Sequence, residues 1–236
     1  MPPIHRRHFL QFAGATLASL GLSQLDFLSH ADRTARVLAQ PTRRKLALLI
    51  GINQYSSITS LNGCLTDVEM QYELLRHRYG FQTEDILLLT DETSQKPTRD
   101  NILAAFETHL IQQAKPGDVV VFHYSGHGGL VTDPQPLDAT KLNGTLIPAD
   151  CTLTQRNDIM GRTLFLLSSQ IKTEYFTMVL DSCHSGGGLR GNQVVRAMPR
   201  SGRSNEPATA PSAAELRYQE QQLQILGWTE KELQQR

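Results

Sequence analysis

At 236 residues, with 39% hydrophobic and 19% charged residues, the chain has the makeup of one ordinary globular domain with some residues to spare. Its 23 Lys and Arg balance 23 Asp and Glu, which removes any electrostatic argument for nucleic acid as a partner and leaves charge selectivity to a local pocket. Three cysteines, Cys64, Cys151 and Cys183, are odd in number and far apart; they suit one reactive thiol and two buried ones better than a disulfide framework, and no paired Cys or His spacing suggests zinc.

The chain opens with a basic stretch, His5-Arg6-Arg7-His8, followed by an uncharged run from Phe9 to Leu25. A basic start before a short apolar run is the pattern of an export signal. Arg6-Arg7 ahead of Phe9-Leu10 resembles a twin-arginine signal, with Val37-Leu38-Ala39 as a small-residue cleavage site before Gln40. This reading implies export to a periplasm or thylakoid lumen, with membrane contact only through the signal. An ordinary amphipathic helix, an uncleaved anchor and a cytoplasmic chain are the alternatives. Residues 1–40 are set apart from the fold.

Lys45 to Ile50 is a continuous apolar run bounded by Gly51, which suits a buried strand. Thr66-Asp67-Val68-Glu69 has the capping-box pattern and predicts a helix start there, with Val68, Leu74, Leu75 and Tyr79 near one face and Gly80 as the stop. Ile86–Leu89 predicts a second strand. After Pro97-Thr98, the spacing of Ile102, Leu103, Phe106 and Leu110 predicts a second helix, ended by Lys115-Pro116-Gly117-Asp118. Val119–Phe122 predicts a third strand, Thr145–Pro148 a short edge element, Leu164–Ile171 a helix and Phe176–Leu180 a fourth main strand. This alternation predicts a mostly parallel α/β sheet with helices on both faces, over residues 44–190. Residues 191–213 read as a flexible linker and 214–236 as an amphipathic helical tail carrying Leu223, Ile225, Leu226 and Leu233.

Two motifs carry chemistry, each directly after a predicted strand, where parallel sheets place ligands. His123-Tyr124-Ser125-Gly126-His127-Gly128-Gly129 follows the third, and Asp181-Ser182-Cys183-His184-Ser185-Gly186-Gly187 follows the fourth. In extended backbone, alternate side chains share a face. Ser125 then lies with His127, Asp181 lies with Cys183, and His184 points away from Cys183. His127 is thus the better base for the Cys183 thiol, since only the thiolate attacks and an imidazole can take its proton. The backbone N–H groups of Cys183 and Gly128 would hold the oxyanion. Tyr124 reads as packing, and His123 and His184 as structural.

Ser-Gly-His-Gly and Asp-Ser-Cys-His-Ser-Gly, with the opening Ala47–Asn53 and Asn62–Asp67, resemble the bacterial metacaspase, or orthocaspase, branch of the caspase-like peptidases over about residues 44–188. The resemblance implies a caspase-like fold and a Cys183–His127 dyad cleaving protein or peptide substrates after Arg or Lys. It implies a pocket for the basic side chain formed by Asp67, Ser125 and Asp181, lined by Cys64; a carboxylate pair there fits a guanidinium or ammonium group. Many members require calcium. Asp133, Asp138, Asp150 and Asp158 are available, but Gly161-Arg162 stands where an adjacent acidic pair is common, so no metal ligand and no cofactor is assigned. The caspase fold also needs strands after the nucleophile, and residues 189–236 contain no convincing strand pair; the resemblance implies that this small-subunit part is missing or comes from a separate segment. A non-catalytic peptide-binding module and a Cys–His hydrolase of other specificity are the competing readings.

Overall fold

The apolar runs pair side by side in a parallel sheet, as expected of strands buried on both faces. The computed structural model describes residues 35, 36, 38, 44–136, 141–152, 156–182 and 210–234. The chain divides into two compact units, Met1–Pro41 and Thr42–Arg236. Of the first, only 35, 36 and 38 are described, in helical conformation. No helix among the described residues is long and apolar enough to cross a membrane.

Four parallel strands form the main sheet of the second unit: β1 (Lys45–Gly51), β2 (Ile86–Thr90), β3 (Val119–Ser125) and β7 (Tyr175–Asp181), in the order β2-β1-β3-β7. Between them lie α1 (Cys64–Tyr79) and α2 (Arg99–Ala105), the latter running into a π-helical turn at Phe106–Ile111. A second, antiparallel sheet joins β4 (Gly128–Thr132), β5 (Leu142–Leu146) and β6 (Ile159–Met160), followed by α3 (Gly161–Ser168). The C-terminal helices are α4 (Ala213–Leu226) and α5 (Glu230–Gln234).

Alternation along the strands separates two faces. Leu46, Leu48, Ile50, Val120, Phe122, Tyr124, Met178 and Leu180 point to one side and meet Ile102, Phe106, Leu110, Leu164 and Leu167 in the main core. Phe106 packs on Phe122 with ring centroids 5.2 Å apart. The other side is covered by α1 through Cys64, Val68 and Leu75. Gly51 makes this close approach tolerable: a Cβ there would stand 2.7 Å from Val68 Cγ2 and 2.9 Å from the Cys64 carbonyl oxygen.

The structure corrects several sequence expectations. Helix α1 begins at Cys64, capped by Gly63 in the left-handed region (φ 118°) with no side-chain cap, so Thr66 and Glu69 form no capping box. Leu74 is exposed rather than on the buried face. The edge element widens into the three-stranded sheet, in which β4 and β6 were not expected. Helix α3 starts at Gly161, not Leu164.

The described C-terminal residues pack as helices on α3, through Leu223 and Leu233 against Leu166, whereas Ile225 is exposed. Polar ties reinforce this contact. Glu215, 1% exposed, accepts hydrogen bonds from the Met160 N–H (2.8 Å) and the Thr163 hydroxyl, and pairs with Arg99 Nη2 at 2.6 Å. Arg162 pairs with Glu230.

Candidate active site

The site begins with register. Gly51, Ser125 and Asp181 are aligned neighbours at the carboxyl ends of β1, β3 and β7. In a parallel pair, register partners present their side chains on the same face, which puts Ser125 and Asp181 on the α1 side. Helix α1 brings two more groups. Asp67, in its first turn, accepts the Ser125 hydroxyl proton at 2.9 Å. Cys64 starts the helix, its N–H bonded to Asn53 Oδ1 at 3.0 Å. Burial raises the Cys64 thiol pKa; the Ser125 hydroxyl opposes this, and the carboxylates of Asp67 and Asp181 add to it. All four pocket residues taken from the sequence thus meet around the end of β3.

His127 lies between β3 and β4, held on several sides. Its Nε2 is 2.7 Å from the Thr59 carbonyl oxygen. A carbonyl can only accept, so Nε2 carries the hydrogen and the neutral imidazole keeps its lone pair on Nδ1. The His127 backbone N–H donates to the Tyr55 hydroxyl at 2.9 Å, and the two rings lie 4.8 Å apart. The Tyr124 hydroxyl is 2.9 Å from the His127 carbonyl oxygen and 2.8 Å from that of Ile147. Tyr124 is therefore more than the packing residue expected from sequence. Burial pushes the pKa of both tyrosines up, so both remain neutral donors and acceptors.

Cys183 and His184 lie outside the described residues, as do 185–209. Of the other cysteines, Cys64 and Cys151 are both buried and free, and burial raises both thiol pKa values. Neither is a source of thiolate at neutral pH.

Beneath Ser125 on the same face lies His123, 4% exposed, with no hydrogen-bond partner for either ring nitrogen. Burial pushes its pKa down to about 4, against a smaller opposing pull from Asp67. It stays neutral and takes no part in proton transfer at neutral pH.

The aspartates considered for calcium serve protein donors on separate elements. Asp133 accepts from Asn143 Nδ2 (3.0 Å), Asp150 from the Arg99 N–H (2.9 Å) and Asp158 from Arg156 (2.6 Å) and Thr145 (2.7 Å); Asp138 lies outside the described residues. Among the described residues no group of three or more His, Cys, Asp or Glu side chains could hold a metal ion.

Sequence reasoning missed Tyr55, Thr59 and Asp91. All follow strand ends, and the rule that drew attention to 125–127 and 181–183 applies equally to the loop after β1. Asp91, just past β2, fixes that loop by accepting the N–H groups of Asn53 (2.6 Å) and Gln54 (3.1 Å).

Residues 45–190 match the family described as metacaspase, peptidase C14 domain. The chain belongs to the metacaspase family. Metacaspase-1 of Kluyveromyces lactis is 34% identical over 167 residues, covering 70% of this chain and 38% of that one. Metacaspase-1 of Cryptococcus neoformans is 39% identical over 166 residues, 64% of this chain and 34% of the relative. Metacaspase-9 of Arabidopsis thaliana is 37% identical over 148 residues, 61% and 44%. The chain thus spans less than half the length of these metacaspases. Both sequence motifs fall inside the metacaspase match.

Proposed function

We propose that this chain is a cysteine endopeptidase cleaving after Arg or Lys, with Cys183 as nucleophile and His127 as its base. The observation that carries the reading is the bond from His127 Nε2 to the Thr59 carbonyl at 2.7 Å, next to the Asp67–Ser125 contact at 2.9 Å. The first leaves Nδ1 to accept a proton; the second sets a carboxylate and a hydroxyl where a basic side chain could be held. Register supports the partnership. His127 lies two positions past Ser125, Cys183 lies two positions past Asp181, and Ser125 and Asp181 are aligned.

In this mechanism Nδ1 of His127 takes the Cys183 thiol proton as sulfur attacks the carbonyl carbon after the basic residue. The tetrahedral intermediate collapses to a thioester as the imidazolium gives that proton to the leaving amine. Water, deprotonated by the same imidazole, then releases the acid and the free thiol. The Thr59 carbonyl steadies the imidazolium, and the N–H groups of Gly128 and Cys183 stabilise the oxyanion. Strand pairing makes Gly128 suitable. The Ile147 N–H bonds the His127 carbonyl at 3.0 Å, so position 128 falls in the alternate, non-bonded pair and its N–H faces away from β5.

The reading includes no calcium step. It also includes twin-arginine export, supported by Arg6-Arg7 and the apolar run after them. The test is release of fluorophore from a short Arg-ended peptide by the wild type and Cys183→Ala, with and without calcium, beside labelling by a thiol-reactive arginyl inhibitor. Cleavage and labelling lost together in Cys183→Ala are expected. Neither activity in the wild type would leave a peptide-binding module, and cleavage of Asp-ended peptides alone would remove the pocket assignment.

A further inference from the structure

The loop after β1 does more than lie beside His127. Between Asn53 and Leu61 it is closed by the Leu61 N–H to Asn53 carbonyl bond (2.8 Å) and tied to the end of β2 by Asp91. From this braced loop, Thr59 meets the imidazole edge at Nε2, while Tyr55 meets the residue at two other places. The Tyr55 hydroxyl accepts the His127 backbone N–H at 2.9 Å, and its ring lies against the imidazole at 4.8 Å between centroids, inclined by 55°. Tyr55 is 8% exposed and Tyr124 fully buried. One tyrosine thus engages the N–H of residue 127, and the other approaches its carbonyl.

Gly126 provides the room. A Cβ at this position would come within 2.6 Å of the Tyr124 hydroxyl and 2.8 Å of the Tyr55 hydroxyl, a spacing real side chains do not adopt. The glycine before the histidine lets two buried hydroxyls close on the backbone of residue 127. Buried polar groups with satisfied partners are rigid, and a tyrosine has few torsions to lose.

We propose that Tyr55 is a positioning residue for His127. Its hydroxyl fixes the backbone of residue 127 and its ring fixes the plane of the imidazole, so that Nδ1 keeps one direction while Thr59 holds Nε2. This rests on the peptidase reading for its consequence in turnover, but not for the geometry itself.

Tyr55→Phe retains the ring and removes the acceptor of the His127 N–H. Small misplacements of a catalytic group cost up to about a hundredfold in rate. In the full-length protein, kcat for the Arg-ended peptide is expected to fall about 10-fold to 100-fold with KM changed less than about twofold, and the acid limb of the kcat/KM profile to move. Tyr55→Leu, which also removes the ring, is expected to fall further. A second measurement needs no turnover: the His127 imidazole resonances, assigned by comparison with His127→Gln, followed against pH in wild type and Tyr55→Phe. A changed His127 titration in a folded Tyr55→Phe supports positioning even if the wild type cleaves nothing, in which case the peptidase reading alone fails. A folded Tyr55→Phe with wild-type kcat, wild-type pH profile and unchanged His127 resonances overturns the proposal. So does a variant whose only change is a lower melting temperature.

Discussion

The two faces of the four-stranded sheet are built from alternate residues of the same strands, yet they obey different rules. On the face of Leu46, Leu48, Ile50, Val120 and Phe122, every position is apolar and sealed by α2, the π-helical turn and α3. On the face covered by α1, β3 supplies His123 and Ser125, β7 supplies Asp181 and the helix supplies Asp67 and Cys64. Moving one residue along β3, from Phe122 to His123 or from Tyr124 to Ser125, changes from the apolar core to the polar face under α1. Division of labour by strand parity lets one face change its chemistry without repacking the other.

The sharpest break of this division is on the apolar face. Phe122→Ala removes a fully buried ring packed on Phe106 and is expected to lower the unfolding free energy by about 3–5 kcal/mol, read by urea titration at pH 7.

The next largest effect probes the polar face with pH. His123 has a folded pKa of about 4 against an ordinary 6.5, so the unfolded chain binds a proton that the folded chain refuses. Stability is therefore fully present above about pH 6.5 and declines as pH falls toward 4, by about 3 kcal/mol in total. His109 is shifted in the same direction by burial and adds to the slope. Replacing His123 with Leu should flatten the acid side of the curve while costing little at pH 7, because neither ring nitrogen has a partner to lose. An unchanged acid slope in that variant would show that His123 does not set it.

Smaller changes separate binding from folding. In a protease that reads a basic side chain, Asp67→Asn should lower kcat/KM on Arg-ended peptides by about 1.5–3 kcal/mol, roughly 10- to 150-fold, with a melting temperature close to wild type. Equal loss on peptides with a neutral residue at that position would place Asp67 outside the pocket. Ser125→Ala removes a hydroxyl donor and should cost about 1 kcal/mol in the same assay. No loss at all would mean that Asp67 acts without it.

The sheet was legible because strands buried on both sides must be continuous apolar runs, as in Lys45–Ile50 and Val119–Phe122. The candidate site was legible where glycine and a reactive group coincide at a strand exit, at 125–128. Other parts were hidden for physical reasons. The paired glycines opening β4 gave no sign of a strand, because nothing local says that antiparallel pairing with Leu146 and Thr145 will hold them. Helix α1 starts on a backbone cap at Gly63, which leaves no side-chain signature, while Thr66 offered a false one. Tyr55 and Thr59 reach His127 through bonds between residues far apart in sequence, as Tyr124 reaches Ile147, and the partner of a hydroxyl or carbonyl cannot be read from its neighbours.

The pairing of Arg99 with Glu215 has a consequence for how the molecule is made. Arg99 is 5% exposed and emerges from the ribosome well before the helix that carries its counter-charge. A buried cation without its anion is strongly destabilising. Much of the cover over Arg99 comes from α4 itself, through Glu215 and the Tyr218 ring. Burial of the cation and docking of α4 are thereby a single event, and loss of either charge is felt by both segments.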